Sequence, residues 1–245
     1  MIKKEMENVK FNINFIVIIL LTIFINLFPF SSNKELIVSS YALIFDIILV
    51  LLSFYKIFKT PQIKDYIKFL FISFLLWTIG DFVIFYKIFT NIPIKFVGLE
   101  DVFYILFPIP IFLLYLHFFK ERSFNIQKPF IILGLLAFIV LLLGIAYPLI
   151  AYSSYFSIIE KIVWIYYAIT DFLLIFLSIS YIQSLKRDSS YYLFFAIFLF
   201  SLLYGLADMI FSMSSIWLNP LENLTNTSLI YELSFIPILW YLTNY

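Results

Sequence analysis

The chain has no cysteine, a single histidine and five glycines in 245 residues, and only 13% of it is charged. Without cysteine there is no disulfide framework, no thiolate nucleophile and no Cys-ligated metal. His117 stands alone beside the basic loop that follows it, which argues against a His-based metal site or a Ser-His triad, so neither metal nor cofactor is expected. A soluble domain carries roughly 25% charged residues, so the shortage of charge excludes that class. The net charge of +1 leaves no strongly basic surface, and no nucleic acid is expected as a partner.

In place of charge the sequence has 64% hydrophobic residues, with 32 Phe and 18 Tyr. Crossing a bilayer takes roughly 20 apolar residues. Eight stretches qualify, at about 11–30, 36–58, 66–89, 101–119, 130–150, 158–185, 191–213 and 228–245, joined by short polar connections. The first follows Lys3, Lys4 and Lys10 like a signal peptide, but its apolar run is too long and Pro29-Phe30-Ser31-Ser32-Asn33 is a poor cleavage site, so it reads as a retained span. The lipid bilayer is therefore the first partner. The expected fold is an all-α integral membrane protein, a single membrane domain over 1–245.

Basic residues set an orientation. Twelve of them (Lys3, Lys4, Lys10, Lys56, Lys59, Lys64, Lys68, Lys120, Arg122, Lys128, Lys186, Arg187) fall at one set of span ends, against Lys34, Lys87, Lys95 and Lys161 at the other. The positive-inside rule then predicts a multi-pass protein of the cell membrane with both termini cytoplasmic. The polar segment 223–228, with two glycosylation sequons, is expected as a loop on the outside.

An internal repeat runs through the apolar segments. Leu75-Leu-Trp-Thr-Ile-Gly-Asp81 aligns with Leu202-Leu-Tyr-Gly-Leu-Ala-Asp208, and the same offset carries Tyr104-Ile-Leu-Phe-Pro-Ile-Pro110 onto Tyr231-Glu-Leu-Ser-Phe-Ile-Pro237. With a two-residue slip, Tyr41-Ala-Leu-Ile-Phe-Asp46 and Ser53 align with Tyr166-Tyr-Ala-Ile-Thr-Asp171 and Ser178. The repeats are expected at about 11–119 and 130–245, giving eight transmembrane helices as a tandem parallel repeat of four plus four. An even number of spans per unit keeps both units in one orientation.

Four aspartates interrupt these spans. Asp81 and Asp208 are expected in the outer half of the membrane and Asp46 and Asp171 near its middle, with Glu232 entering the last span from outside. No Lys or Arg accompanies them at that depth. An ionised carboxylate stranded there is costly, so the acids are expected to bind a cation, line a wet cavity or stay uncharged. Asp81 and Asp208 are the candidate ligand-binding pair, with Glu232, Tyr104 and Tyr231 near them and Trp77 and Tyr204 one helical turn before them. Asp46 and Asp171, with Ser53 and Ser178 on their own helix faces, read as structural polar groups that hydrogen-bond between helices, each worth about 1 kcal/mol in a membrane. Pro108, Pro110 and Pro237 are expected to kink spans four and eight.

The motifs Trp77-Thr-Ile-Gly-Asp81, Leu99-Glu-Asp-Val-Phe-Tyr-Ile-Leu-Phe-Pro108, Tyr166-Tyr-Ala-Ile-Thr-Asp171 and Tyr204-Gly-Leu-Ala-Asp208 resemble, in order and spacing, an eight-helix membrane input domain found before diguanylate cyclase and histidine kinase modules. The resemblance covers about 41–245 and implies a sensory domain. Because the sequence ends at Tyr245 with no catalytic module, the expectation is a stand-alone sensory or ligand-binding domain that acts through a separate signalling protein. Asp101 aligns with Ser228 and so is not expected in a symmetric site. Gly80-Asp81 and Ala207-Asp208 also look like the paired motifs of the lysoplasmalogenase family, although the fourth span lacks a His near Tyr104. That resemblance implies an alkenyl-ether lipid hydrolase, in which Asp81 and Asp208 would be catalytic: one acid protonates the alkene carbon and one carboxylate stabilises the cation or activates water. A cation or proton transporter is a third reading, set against the few Gly-rich breaks in the helices.

Overall fold

The computed structural model describes residues 13–28, 33–60, 64–95, 97–121, 156–184, 189–214, 218 and 220–245, together with 132, 135, 136, 139, 140 and 143. Among the described residues all regular structure is helical: α1 (Ile13–Leu27), α2 (Lys34–Lys59), α3 (Lys64–Phe89), α4 (Leu99–Leu106), α5 (Pro108–Glu121), α6 (Ile158–Ser184), α7 (Ser189–Ser214) and α8 (Pro220–Asn244). Five stretches among these are long and apolar enough to cross a membrane: Lys34–Lys59, Asp65–Phe89, Leu99–Phe119, Ile158–Ile182 and Ser190–Ser214. The expected span at 130–150 lies outside the described residues except for its few scattered positions, as do the basic positions Arg122, Lys128, Lys186 and Arg187.

Local chemistry fixes the helix ends. Glu35 begins α2 and Lys56 and Lys59 end it; Asp65 begins α3 and Lys87 ends it. Each charge opposes the helix dipole at its own end. At the start of α6 the Glu160 carboxylate accepts from the Ser157 backbone N–H at 2.6 Å while the Ser157 hydroxyl accepts from the Glu160 N–H at 3.2 Å, a reciprocal cap. Gly98, before α4, has no side chain to cap with, and the Asp101 carboxylate takes its N–H at 2.7 Å.

The distribution of polarity is that of a membrane protein. Large apolar side chains such as Leu20, Leu51, Phe58, Phe82, Leu116 and Ile158 face outward, whereas Asp46, Asp171, Asp208, Glu100 and Glu232 are buried. Water would favour the reverse arrangement, while lipid leaves polar groups no partner except inside the bundle. Most hydroxyls are satisfied within their own helix: Thr22, Ser53, Thr78, Ser201 and Thr227 each donate to the carbonyl four residues earlier.

The two sequence halves pack in matching ways. In the first, α2 lies along α3 and α3 against α4 and α5; in the second, α6 lies along α7 and α7 along α8. Across the divide α8 packs on α1 and α2, and α4 and α5 pack on α6. The last helix of each half therefore seals the second helix of the other.

Pro108 and Pro110 lack the N–H groups that would bond Tyr104 and Leu106, so the hydrogen-bond ladder of span four is interrupted and α4 and α5 meet at Phe107; Pro108 opens α5, where a missing N–H costs nothing. The Tyr166 hydroxyl of α6 donates to the Ile105 carbonyl at this break, at 2.6 Å. In the other half α8 runs through Pro237 without interruption. The expected loop at 223–228 is corrected, since it forms the early turns of α8. Asn223 is buried, donates to the Phe211 carbonyl at 2.8 Å and shares a hydrogen bond with Ser214, so its polarity serves contact with α7. Of the two sequon asparagines only Asn226 is exposed.

Candidate functional site

Two tyrosine–aspartate pairs form the centre of the site. The Tyr104 hydroxyl of α4 donates to Asp81 Oδ1 of α3 at 2.5 Å, and the Tyr231 hydroxyl of α8 donates to Asp208 Oδ1 of α7 at 2.5 Å. In both pairs the partners are 23 residues apart in sequence. Both bonds are partly buried, and a hydrogen bond shielded from water is stronger than one at the surface.

Each pair is extended by a second carboxyl. Asp46 of α2 lies close to Asp81, and Asp171 of α6 lies close to Asp208. Two adjacent carboxyls can share a proton, one donating and the other accepting. Trp77 lines the same cavity as Asp46 and Asp81. Tyr204 occupies the matching position in the second half, and its ring meets that of Trp77 edge-on with centroids 5.3 Å apart. The rings of Tyr104 and Tyr231 lie 4.5 and 6.2 Å from Trp77, so aromatics from both halves converge between the two acid pairs.

A cavity of about 140 Å³ joins these groups. Asp46, Asp81, Asp208 and Glu232 line it together with Trp77 and Tyr204. It extends to the end of the bundle marked by Glu35, at the start of α2, and Lys95, between α3 and α4. Lys95 is exposed there.

Glu232 and Asp101 add an acid beside each pair, and each comes from the opposite half. Glu232 of α8 is close enough to interact electrostatically with Asp46 and Asp81, and Asp101 of α4 with Asp208. Glu232 Oε2 accepts from the Asn26 side chain of α1 at 2.8 Å; Asn26 Oδ1 in turn accepts from the Ser228 hydroxyl at 2.5 Å. Glu232 Oε1 has no hydrogen-bond partner among the described residues. Asp101 accepts from the Tyr167 hydroxyl at 2.8 Å. At the start of α4, Lys87 and Glu100 form a buried ion pair at 2.5 Å that ties it to the end of α3.

The structure thus gathers Asp81, Asp208, Glu232, Tyr104, Tyr231, Trp77 and Tyr204 around one cavity. Asp46 also lines the cavity, while Asp171, close to Asp208, does not. Ser53 and Ser178 do not reach the aspartates by any observed hydrogen bond. Ser53 bonds to the Leu49 and Val50 carbonyls, and Ser178 bonds to the Leu174 carbonyl and to the Tyr115 hydroxyl of α5. Asn26, Tyr167 and Asp101 were not anticipated in the site. Asn26 carries a readable signal, since with Thr22 it places two polar side chains one turn apart on one face of a helix that is apolar from Phe15 to Leu21.

Compared with family models, with curated proteins and with solved structures, the chain gives no match.

Proposed function

We propose that this chain is a membrane-embedded ligand-binding domain of the sensory type, whose ligand sits between Asp81 and Asp208 and whose bound state is passed to a separate signalling protein. The observation that carries the reading is that both tyrosine–aspartate pairs line one cavity instead of two separate pockets. A ligand there touches both halves of the molecule, so binding would bias how α8 sits on α1 and α2 and how α4 sits on α6. A ligand shifts such an equilibrium only through contacts that differ between the two arrangements. The rest of the architecture in this proposal is eight spans in two four-helix units of one orientation, both termini cytoplasmic, with the Glu35 and Lys95 end of the cavity outside. A cysteine placed at the exposed Asn226 should then react with an impermeant reagent added to intact cells, and protection of that site would remove the orientation.

Two carboxyl units across one cavity also provide an acid and a carboxylate, which favours hydrolysis of an alkenyl ether as the second reading. One comparison separates the readings. Wild type and the Asp81→Asn, Asp208→Asn double variant would be purified, examined by native mass spectrometry for a retained ligand, and incubated with an alkenyl-ether lysolipid while aldehyde release is followed. Binding alone predicts a mass held by the wild type, lost from a folded double variant, and no aldehyde. Aldehyde released by the wild type alone would replace the binding reading with the hydrolase. Equal retention by both proteins would remove the aspartates from either role.

A further inference from the structure

The chemistry of the cavity wall selects among ligands, and we infer that the site takes an organic cation, a primary or quaternary amine of small size. The inference rests on the binding role proposed above and specifies its ligand class.

The first argument is charge. Asp46, Asp81, Asp208 and Glu232 line the deep part of the cavity, Glu35, Glu100 and Asp101 line the remainder, and Lys95 is the one basic side chain that lines it among the described residues. An anionic headgroup entering this wall would meet acids at every depth, whereas a cation is attracted along its whole length. A single proton shared between two adjacent carboxyls would leave one group of each pair able to carry the countercharge.

The second argument is the unpartnered oxygen. Glu232 is 5% exposed and lines the cavity, with Oε2 committed to Asn26 and Oε1 given no partner by the described residues. A buried carboxyl oxygen in that state calls for a donor. The N–H of an amine, or the polarised CH groups of a quaternary ammonium, would supply one.

The third argument concerns the kind of cation. Among the described residues no three acids, histidines or cysteines gather closely enough to hold a metal ion. Between the separated carboxyls stand Trp77, Tyr104, Tyr204 and Tyr231, with Trp77 central to the group. Aromatic walls combined with spaced carboxylates suit a bulky, weakly hydrated organic cation, which ring faces attract, better than a bare metal ion that requires converging oxygens.

The test uses three probes of one shape, n-butylammonium, n-butanol and butanoate, titrated at neutral pH into the purified full chain while its thermal unfolding midpoint is followed. Butylammonium should raise the midpoint saturably and bind at least about tenfold more tightly than the other two. Asp81→Asn and Glu232→Gln should each weaken it by at least about tenfold. Selectivity among the probes on the wild type decides the matter even where a variant fails to fold. Butanol or butanoate binding as well as butylammonium overturns the amine. So does the absence of any butylammonium effect while native mass spectrometry still finds a retained ligand, an outcome that leaves the binding role standing. No probe effect and no retained ligand would remove both.

Discussion

The first-half site, Asp46, Asp81, Tyr104 and Trp77, and the second-half site, Asp171, Asp208, Tyr231 and Tyr204, share one hydrogen-bonding plan but differ in what surrounds it. In the first, both aspartates line the cavity beside Trp77. In the second, only Asp208 lines it, with Asp171 outside the lining and Tyr204 in place of the tryptophan. The difference teaches that the tyrosine–aspartate bond is common to both halves, whereas the access of the second aspartate to the cavity is not. It also shows that the halves depend on each other, because the additional acid near each pair comes from across the divide.

The largest expected effect comes from deleting the two tyrosine-bonded aspartates separately. Asp81→Leu removes the partner of the Tyr104 hydroxyl and the neighbour of Asp46, whereas Asp208→Leu removes the partner of the Tyr231 hydroxyl and the neighbour of Asp171. Each orphaned buried group costs about 1–3 kcal/mol. Both variants should therefore unfold well below the wild type in a thermal scan in detergent and by similar amounts, because each orphans one tyrosine hydroxyl and isolates one carboxyl. A marked drop in one variant alone would mean that the two pairs do not carry matching loads.

Much of this plan is legible in the residues because it depends on local spacing. The Asp81–Tyr104 and Asp208–Tyr231 spacings recur with their flanking prolines, and a carboxyl inside an apolar helix must turn inward whatever the fold. Asn26 illustrates what is not legible: its bond to Glu232 exists only because α1 packs on α8, a contact between the two ends of the chain. Ser178 bonds the Tyr115 hydroxyl of α5 and so links two helices, whereas Ser53 satisfies itself on the preceding turn, so sharing a face with an aspartate does not imply pairing with it. The segment 223–228 reads as a loop because its side chains are polar, yet Asn223 places its amide against the α7 backbone and the helix begins there. Polarity alone does not separate a solvated loop from a helix face buried against another helix.

The smallest expected effect concerns the residue before each tyrosine-bonded aspartate, Gly80 in one half and Ala207 in the other. A methyl group on Gly80 would lie 2.5 Å from Tyr104 Cε1 and 2.9 Å from its Cζ. That ring has little freedom, since its hydroxyl is held by Asp81 and its face packs on Trp77. Gly80→Ala gains about 1 kcal/mol in helix propensity but costs about 1–3 kcal/mol in overpacking, and should be destabilising by about 1 kcal/mol on balance. Ala207 is fully buried and its methyl group coexists with the Tyr231–Asp208 bond, so the second half leaves room that the first does not. A double-mutant cycle measures this directly. In a Tyr104→Leu background the ring is gone and Gly80→Ala should cost less, giving a coupling energy of at least about 0.5 kcal/mol, while Ala207→Gly and Tyr231→Leu should combine additively. Additivity in the first half would show that Gly80 does not admit the Tyr104 ring, and strong coupling in the second would show that the halves share the constraint.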